Sequence, residues 1–174
     1  MDKFDLDLSE VPQTLYRVQY EESMTTYDSD TGLKARGNTS MKFYMKKYFG
    51  EAVEYHLNWR AVDSVFISLF SDREHAENWM RKMGSKTNLK LLEIDVKRLQ
   101  QSSYIFKAEE IVNHFNLYIK EIARKSVSKE YLVANGIPSS AIVEVIRATV
   151  ISPPIPEDFT SDSLEDRLRA LKIG

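Results

Sequence analysis

Apolar and polar positions alternate with a period of two from Thr14 to Tyr20. That period predicts a strand with Leu15 and Arg17 on one side and Tyr16 and Val18 on the other. The polar, turn-rich stretch 21–40 holds Gly32 and Gly37, which predicts an irregular surface loop closed by two glycine turns. From Thr39 to Trp59 the residues Phe43, Tyr44, Tyr48, Phe49, Val53 and Leu57 recur at helical spacing, with Gly50 expected to split the segment in two. Val65 to Phe70 reads as a buried strand. Ser71-Asp-Arg-Glu74 has the spacing of a capping box, opening a helix that runs to Met83 and stops at Gly84.

Further along, Leu89–Asp95 reads as a strand and Tyr104–Lys107 as a short extended piece. Ala108 to Lys125 is the longest helical pattern, with Ile111, Val112, Phe115, Tyr118, Ile119 and Ile122 on one face. A strand from Glu130 to Val133, an Asn-Gly-Ile-Pro turn and a β-branched strand from Ile142 to Ile151 follow. Pro153, Pro154 and Pro156 stop any ladder, and Ser161–Ile173 reads as a detachable charged helix. The alternation of strands and helices is that of an α+β domain. It occupies residues 14–151, between an N-terminal extension (1–13) and a Pro-rich linker with a helical tail (152–174).

Composition narrows the chemistry more than the fold. With 174 residues, 43% of them hydrophobic, one domain is expected. A formal charge of -2 leaves no whole-molecule basic field, so nucleic acid is an unlikely partner and anionic lipid would be met only locally. The absence of cysteine excludes disulfides, thiolate metal sites and a thiol nucleophile. The first dozen residues lack the apolar stretch of a secretory signal, and the longest apolar run, Val65–Phe70 broken by Ser68, is too short to span a bilayer. A soluble protein is expected, either cytoplasmic or a delivered effector. His56, His75 and His114 stand far apart with no ligand-spaced partner, so no metal is expected, and structural or solvated roles suit them. GxxxxGK[ST], GxGxxG and GxSxG are all absent.

What remains unusual is polar residues set inside apolar strands: Arg17 in LYRV, Ser68 in FISLF and Glu130 at the head of EYLV. Burying an unpaired guanidinium or carboxylate is expensive. Such residues belong either at a wet strand edge or converging on one another and on a charged ligand.

Taken in order, these residues resemble the ADP-ribosyltransferase fold, in particular its cholera-toxin-like branch with an Arg, Ser, Glu signature. Leu15-Tyr-Arg-Val18 looks like the family's first strand, and Gly32-Leu-Lys-Ala-Arg-Gly37 is similar to its Gly-Leu-x-x-Arg-Gly loop. Phe66-Ile-Ser68 stands at the start of the Ser-Thr-Ser strand, and Lys129-Glu-Tyr-Leu-Val-Ala-Asn-Gly-Ile-Pro138 is similar to the stretch from the catalytic glutamate onward. The resemblance implies a split pair of β-sheets with NAD, as substrate, in the cleft between them. Arg17 would contact its phosphates or ribose; Tyr16, Arg36, Gly37, Phe66 and Ser68 would line the NAD site. Ser68 would hold the rotamer of Glu130, and Glu130 would stabilise the charge that develops as the nicotinamide-ribose bond breaks.

Two departures stand beside the likeness. The arginine-modifying enzymes carry a second glutamate two residues before the catalytic one, where this chain has Ser128, and Leu69 and Phe70 occupy the usual Thr and Ser positions. Ser128 is therefore the expected site of acceptor specificity. A mono-ADP-ribosyltransferase acting on an unknown protein or other acceptor, an NAD glycohydrolase, and a catalytically inactive binding module on the same fold are all open at this point. A related RNA-end phosphotransferase is disfavoured by the missing basic surface.

Overall fold

The computed structural model describes residues 10–37, 45–60, 63–99, 103–134 and 136–147. Among them the order is β1 (Thr14–Gln19), β2 (Thr25–Asp28), β3 (Gly32–Ala35), α1 (Lys46–Leu57), β4 (Phe66–Phe70), α2 (Arg73–Lys82), β5 (Lys90–Asp95), α3 (Val96–Leu99), β6 (Ile105–Lys107), α4 (Ala108–Phe115), α5 (Glu121–Val127), β7 (Glu130–Ala134), β8 (Gly136–Ile137) and β9 (Ile142–Arg147). The architecture is α+β. Six strands form an antiparallel sheet in the order β6-β7-β4-β1-β5-β9, and β2-β3-β8 form a second, smaller sheet.

The larger sheet is not evenly knit. β1 pairs with β5 over the register Thr14↔Asp95 to Gln19↔Lys90, and β4 pairs with β7 from Phe66↔Ala134 to Phe70↔Glu130. Between β1 and β4 the register holds only Tyr16↔Phe70. Two well-paired halves therefore meet at a seam that opens away from this one pair.

Alternation along the strands sorts side chains onto two faces. Leu15, Ile67, Leu69, Leu92, Ile94, Tyr131 and Val133 face the small sheet, where Leu33 and Ile137 complete a buried cluster. On the other face, Phe66, Phe106, Leu132 and Ala134 pack under α1, α4 and α5 through Phe49, Val53, Leu57, Ile111 and Ala123. Val18, Phe70 and Leu91 pack under α2. The strands are apolar on both faces because both are covered, which is why their alternation is weak in the sequence.

Several elements differ from the sequence expectation. The stretch 21–40 contains the β2–β3 hairpin, whose turn is held by Asp28: its Oδ1 accepts from the Asp30 and Thr31 amides at 3.0 and 2.8 Å. Gly32 sits at φ +93°, and a Cβ there would meet the Ile137 carbonyl oxygen at 2.1 Å, so only glycine lets β8 pair here. Gly136–Ile137, read as part of a turn, is that third strand.

Gly50 does not split α1. It lies on the buried face, where a Cβ would approach the Phe115 ring at 3.3 Å, so the glycine serves helix packing. The residues Phe43 and Tyr44 lie outside the described residues, as do 1–9 and 148–174, which include the expected end of the last strand and the helical tail. The long helix expected from 108 to 125 breaks into α4 and α5 at Asn116, in the left-handed conformation at φ 51°. Tyr118 and Ile122 are accordingly exposed, not on a buried stripe. Asn58 of the α1 end fixes this break, donating to the Tyr118 carbonyl at 2.7 Å and accepting from the Lys120 amide at 2.8 Å.

The cap of α2 is one residue later than the capping box implies. Asp72 is the N-cap, its Oδ1 accepting from the His75 amide at 3.0 Å, while the Ser71 hydroxyl donates to the Lys129 carbonyl at 3.3 Å. Asp72 also meets Lys129 Nζ at 2.6 Å, tying the start of β7 to α2. Asp72→Ala is expected to destabilise the fold by about 1 kcal/mol, the usual cost of a lost N-cap, and Ser71→Ala by less. Urea unfolding of the two variants checks the order.

Candidate active site

Arg17, Ser68 and Glu130 lie on three different strands, and the seam brings them together. Ser68 and Glu130 alternate onto the helix-covered face with Phe66 and Leu132. Arg17 sits on the opposite face of β1, paired with Leu92, and its side chain crosses the open seam. Its Nη1 donates to the Ser68 carbonyl at 3.1 Å and its Nη2 to Thr25 Oγ1 of β2 at 3.0 Å. One guanidinium thus ties together β1, β4 and the small sheet.

Behind it stands a buried polar brace. Thr25 Oγ1 donates to Gln19 Oε1 at 2.6 Å, and Gln19 Nε2 donates to Ser23 Oγ at 2.6 Å and to the Thr25 carbonyl at 2.9 Å. Gln19, Ser23 and Thr25 are all buried. The brace leaves one gap: Arg17 Nε is buried with no hydrogen-bond partner among the described residues. A buried unpaired donor costs about 1–3 kcal/mol, and an anionic oxygen at that position would remove the cost.

Electrostatics sets the charge of Arg17 and His56 and places Glu130 between opposing influences. Burial lowers the Arg17 pKa to about 10, opposed by the nearby Tyr20 and Glu130, so the guanidinium stays charged at neutral pH. Burial raises the Glu130 carboxyl above its usual range, while the Ser68 hydroxyl and the Arg17 charge pull it back down. Burial, and then the Arg17 charge, lower His56 to about 3, so this imidazole is neutral.

His56 is the residue that sequence reasoning set aside. It sits near the end of α1, with Nε2 2.7 Å from Ser68 Oγ and Nδ1 2.7 Å from Ser64 Oγ. Ser64 Oγ in turn accepts from the Phe66 amide at 3.1 Å. When Glu130 is ionised its carboxylate can only accept, so the Ser68 hydroxyl donates to it, Ser68 Oγ accepts from His56 Nε2–H, and Nδ1 accepts from the Ser64 hydroxyl. The four groups form one directed chain ending on the carboxylate. A signal for His56 existed: it interrupts the apolar stripe Phe49, Val53, Leu57 of α1 with a polar side chain.

The other expected site residues are placed as follows. Gly37 is buried and its amide donates to the Ser64 carbonyl at 2.8 Å; a Cβ there would meet Ser64 backbone at 2.6 Å, so its backbone approach seats the Ser64 end of the chain. Phe66 is fully buried and stands edge-on to the His56 ring at 5.8 Å, supporting the imidazole from the core. Tyr16 pairs with Phe70 on the α2 side, away from Arg17. Arg36 is exposed after β3, and Ser128 is exposed at the end of α5, two residues before Glu130. Leu69 lies in the core on the small-sheet face, whereas Phe70 shares the face of Ser68, stands directly across from Glu130 and packs under α2. No group of three potential metal ligands occurs, and no helix is long and apolar enough to cross a membrane, among the described residues.

Residues 10–151 match a family model described as a domain of unknown function (DUF7587). The chain belongs to that family. No curated protein matches the chain. Among solved structures it is similar to EcPltA, a pertussis-like toxin A subunit and an ADP-ribosyltransferase, at 17% identity and a TM-score of 0.55. The match covers 79% of this chain and 77% of that one. At this identity the likeness shows the fold, and it does not single out the cholera-toxin-like branch over others.

The His56 assignment is directly measurable. Long-range nitrogen-proton NMR should find its imidazole neutral and in the Nε2–H tautomer throughout pH 5–8, the range in which an ordinary histidine with a pKa near 6.5 titrates. A titration midpoint near 6.5 would show that the directed chain is wrongly drawn.

Proposed function

We propose that this domain is an NAD-consuming enzyme: a mono-ADP-ribosyltransferase, or an NAD glycohydrolase on the same scaffold. The observation that carries the reading is the unpartnered, buried Nε of a charged Arg17 near the buried Glu130, with Ser68, held by His56, on the neighbouring strand. The fold it shares with EcPltA supports the same reading.

Arg17 would receive a phosphate or ribose oxygen of NAD, for which a rigid, permanently charged fork is suited. The bond from ribose C1′ to the nicotinamide nitrogen would then break, its electron pair leaving with neutral nicotinamide. Positive charge grows on C1′ and its ring oxygen, and Glu130 stabilises it. That attraction is stronger in the transition state than with ground-state NAD, which is the condition for rate enhancement. Ser68 and His56 keep the carboxylate aimed and cost no reorganisation as the charge appears. An acceptor oxygen or nitrogen, or water, then attacks C1′ and loses its proton.

The acceptor is set apart from the arginine-modifying pattern by Ser128, which carries no carboxylate to take a guanidinium proton. The inactive-module reading draws on the same residue and on the loss of the Thr and Ser side chains at Leu69 and Phe70.

Purified protein should release nicotinamide from NAD, and Glu130→Gln should reduce the rate by at least about a hundredfold, the scale of losing one preorganised electrostatic group, with an unchanged melting temperature. Wild type and variant releasing nicotinamide equally slowly, with labelled NAD and a cell lysate also giving no transfer, would favour the inactive module. The rate should fall on the acid side as Glu130 is protonated, with a midpoint above that of an ordinary glutamate because burial raises its pKa. NAD at 100 times its dissociation constant should stabilise the fold by about 2.7 kcal/mol.

A further inference from the structure

A groove of about 1180 Å³ opens on the far side of α2, between that helix, the α2–β5 connection and the ends of β5 and β9. It shares no residue with the Arg17–Glu130 cleft. Met80 and Ile146, both only partly buried, contribute apolar surface to it. Its cations are Arg81, Lys86, Lys90 and Arg147, against the carboxylates of Glu21 and Glu77. Lys86 and Lys90 rest over the rings of Tyr20 and Tyr27 at 5.6 and 5.1 Å, and Lys86 also lies 4.0 Å from Glu22. An apolar floor under an excess of positive charge suits an acidic segment with a few apolar side chains.

The chain itself supplies one. β9 is the edge strand of the large sheet, and its last residue, Arg147, is part of the groove. Residues 152–166, SPPIPEDFTSDSLED, hold five acids and no Lys or Arg, with Ile155, Phe159 and Leu164 among them. The ten residues from Arg147 to Glu157 reach up to about 33 Å when extended, more than enough to return to a groove that begins at Arg147. A tether this short holds the segment at an effective concentration on the order of millimolar.

We propose that the groove is the seat of this chain's own acidic segment, residues 152–166. Its apolar side chains lie on Met80 and Ile146, and its carboxylates face Arg81, Lys86 and Arg147. The inference is independent of the NAD reading, since the groove and the cleft are separate.

The full-length chain tests it. Ser161→Cys gives a unique attachment point for a nitroxide, because the natural chain has no cysteine. The amide signals of Met80, Thr87 and Ile146 should lose most of their intensity, and Arg81→Glu with Lys86→Glu should restore them. Should the charge-reversed chain fail to fold, salt near 1 M, where the Debye length is about 3 Å, should restore the signals of the labelled parent. Absent or uniform broadening would overturn the proposal, as would broadening that neither charge reversal nor salt relieves. A nitroxide-labelled chain that broadens the same signals of a separate, isotope-labelled copy would assign the groove to a second molecule and overturn it too.

Discussion

The guanidinium of Arg17 is the piece on which the rest of the site depends. A six-stranded sheet would ordinarily zip β1 to β4 along their length, yet register between them holds at one pair, and the Arg17 side chain passes through the opening. Its two terminal nitrogens are spent on Ser68 and Thr25, which holds the two halves of the sheet and the small sheet in one geometry. The third nitrogen is left over. A charged group kept out of water and one hydrogen bond short is a poor device for stability and a good one for receiving an anion.

The same charge organises its neighbours. It helps to keep His56 neutral and it draws Glu130 toward ionisation against the pull of burial. A protonated His56 would donate from both nitrogens, to Ser64 as well as to Ser68, and put a second cation beside Arg17. A neutral one passes a fixed donor to Ser68 and, through it, a fixed acceptor role to the carboxylate. Rigidity here comes from the buried Gln19–Ser23–Thr25 brace on one side and from Gly37, pressed against Ser64, on the other. The turn residues around the cleft thereby serve its chemistry as well as the path of the chain.

Much of this was legible in the sequence, and the failures share a cause. Strands β1, β4, β5 and β7 declared themselves by apolar runs and alternation, and polar residues inside them marked Arg17, Ser68 and Glu130. The β2–β3 hairpin did not, because its strands are four residues each and rich in the residues that also make loops. Asn116 broke a continuous helical pattern through a backbone conformation that periodicity does not register. His56 was missed because its partners are serines eight and twelve residues away, a spacing that means nothing until α1 is laid across β4. Ser64 acts through tertiary approach and leaves no local mark, whereas Gly37, which it meets, is marked by its place in the Gly-Leu-x-x-Arg-Gly stretch.

The central claim is that Arg17 Nε is held ready for an anionic oxygen of the substrate, and it is open to one direct measurement. The Nε–H signal of Arg17, assigned through its loss in Arg17→Lys, can be followed by NMR as NAD is added. A downfield proton shift with slowed solvent exchange, saturating with NAD, is the result expected of a donor that gains a charged acceptor. An Nε–H signal that stays in place while NAD shifts other residues would contradict the account.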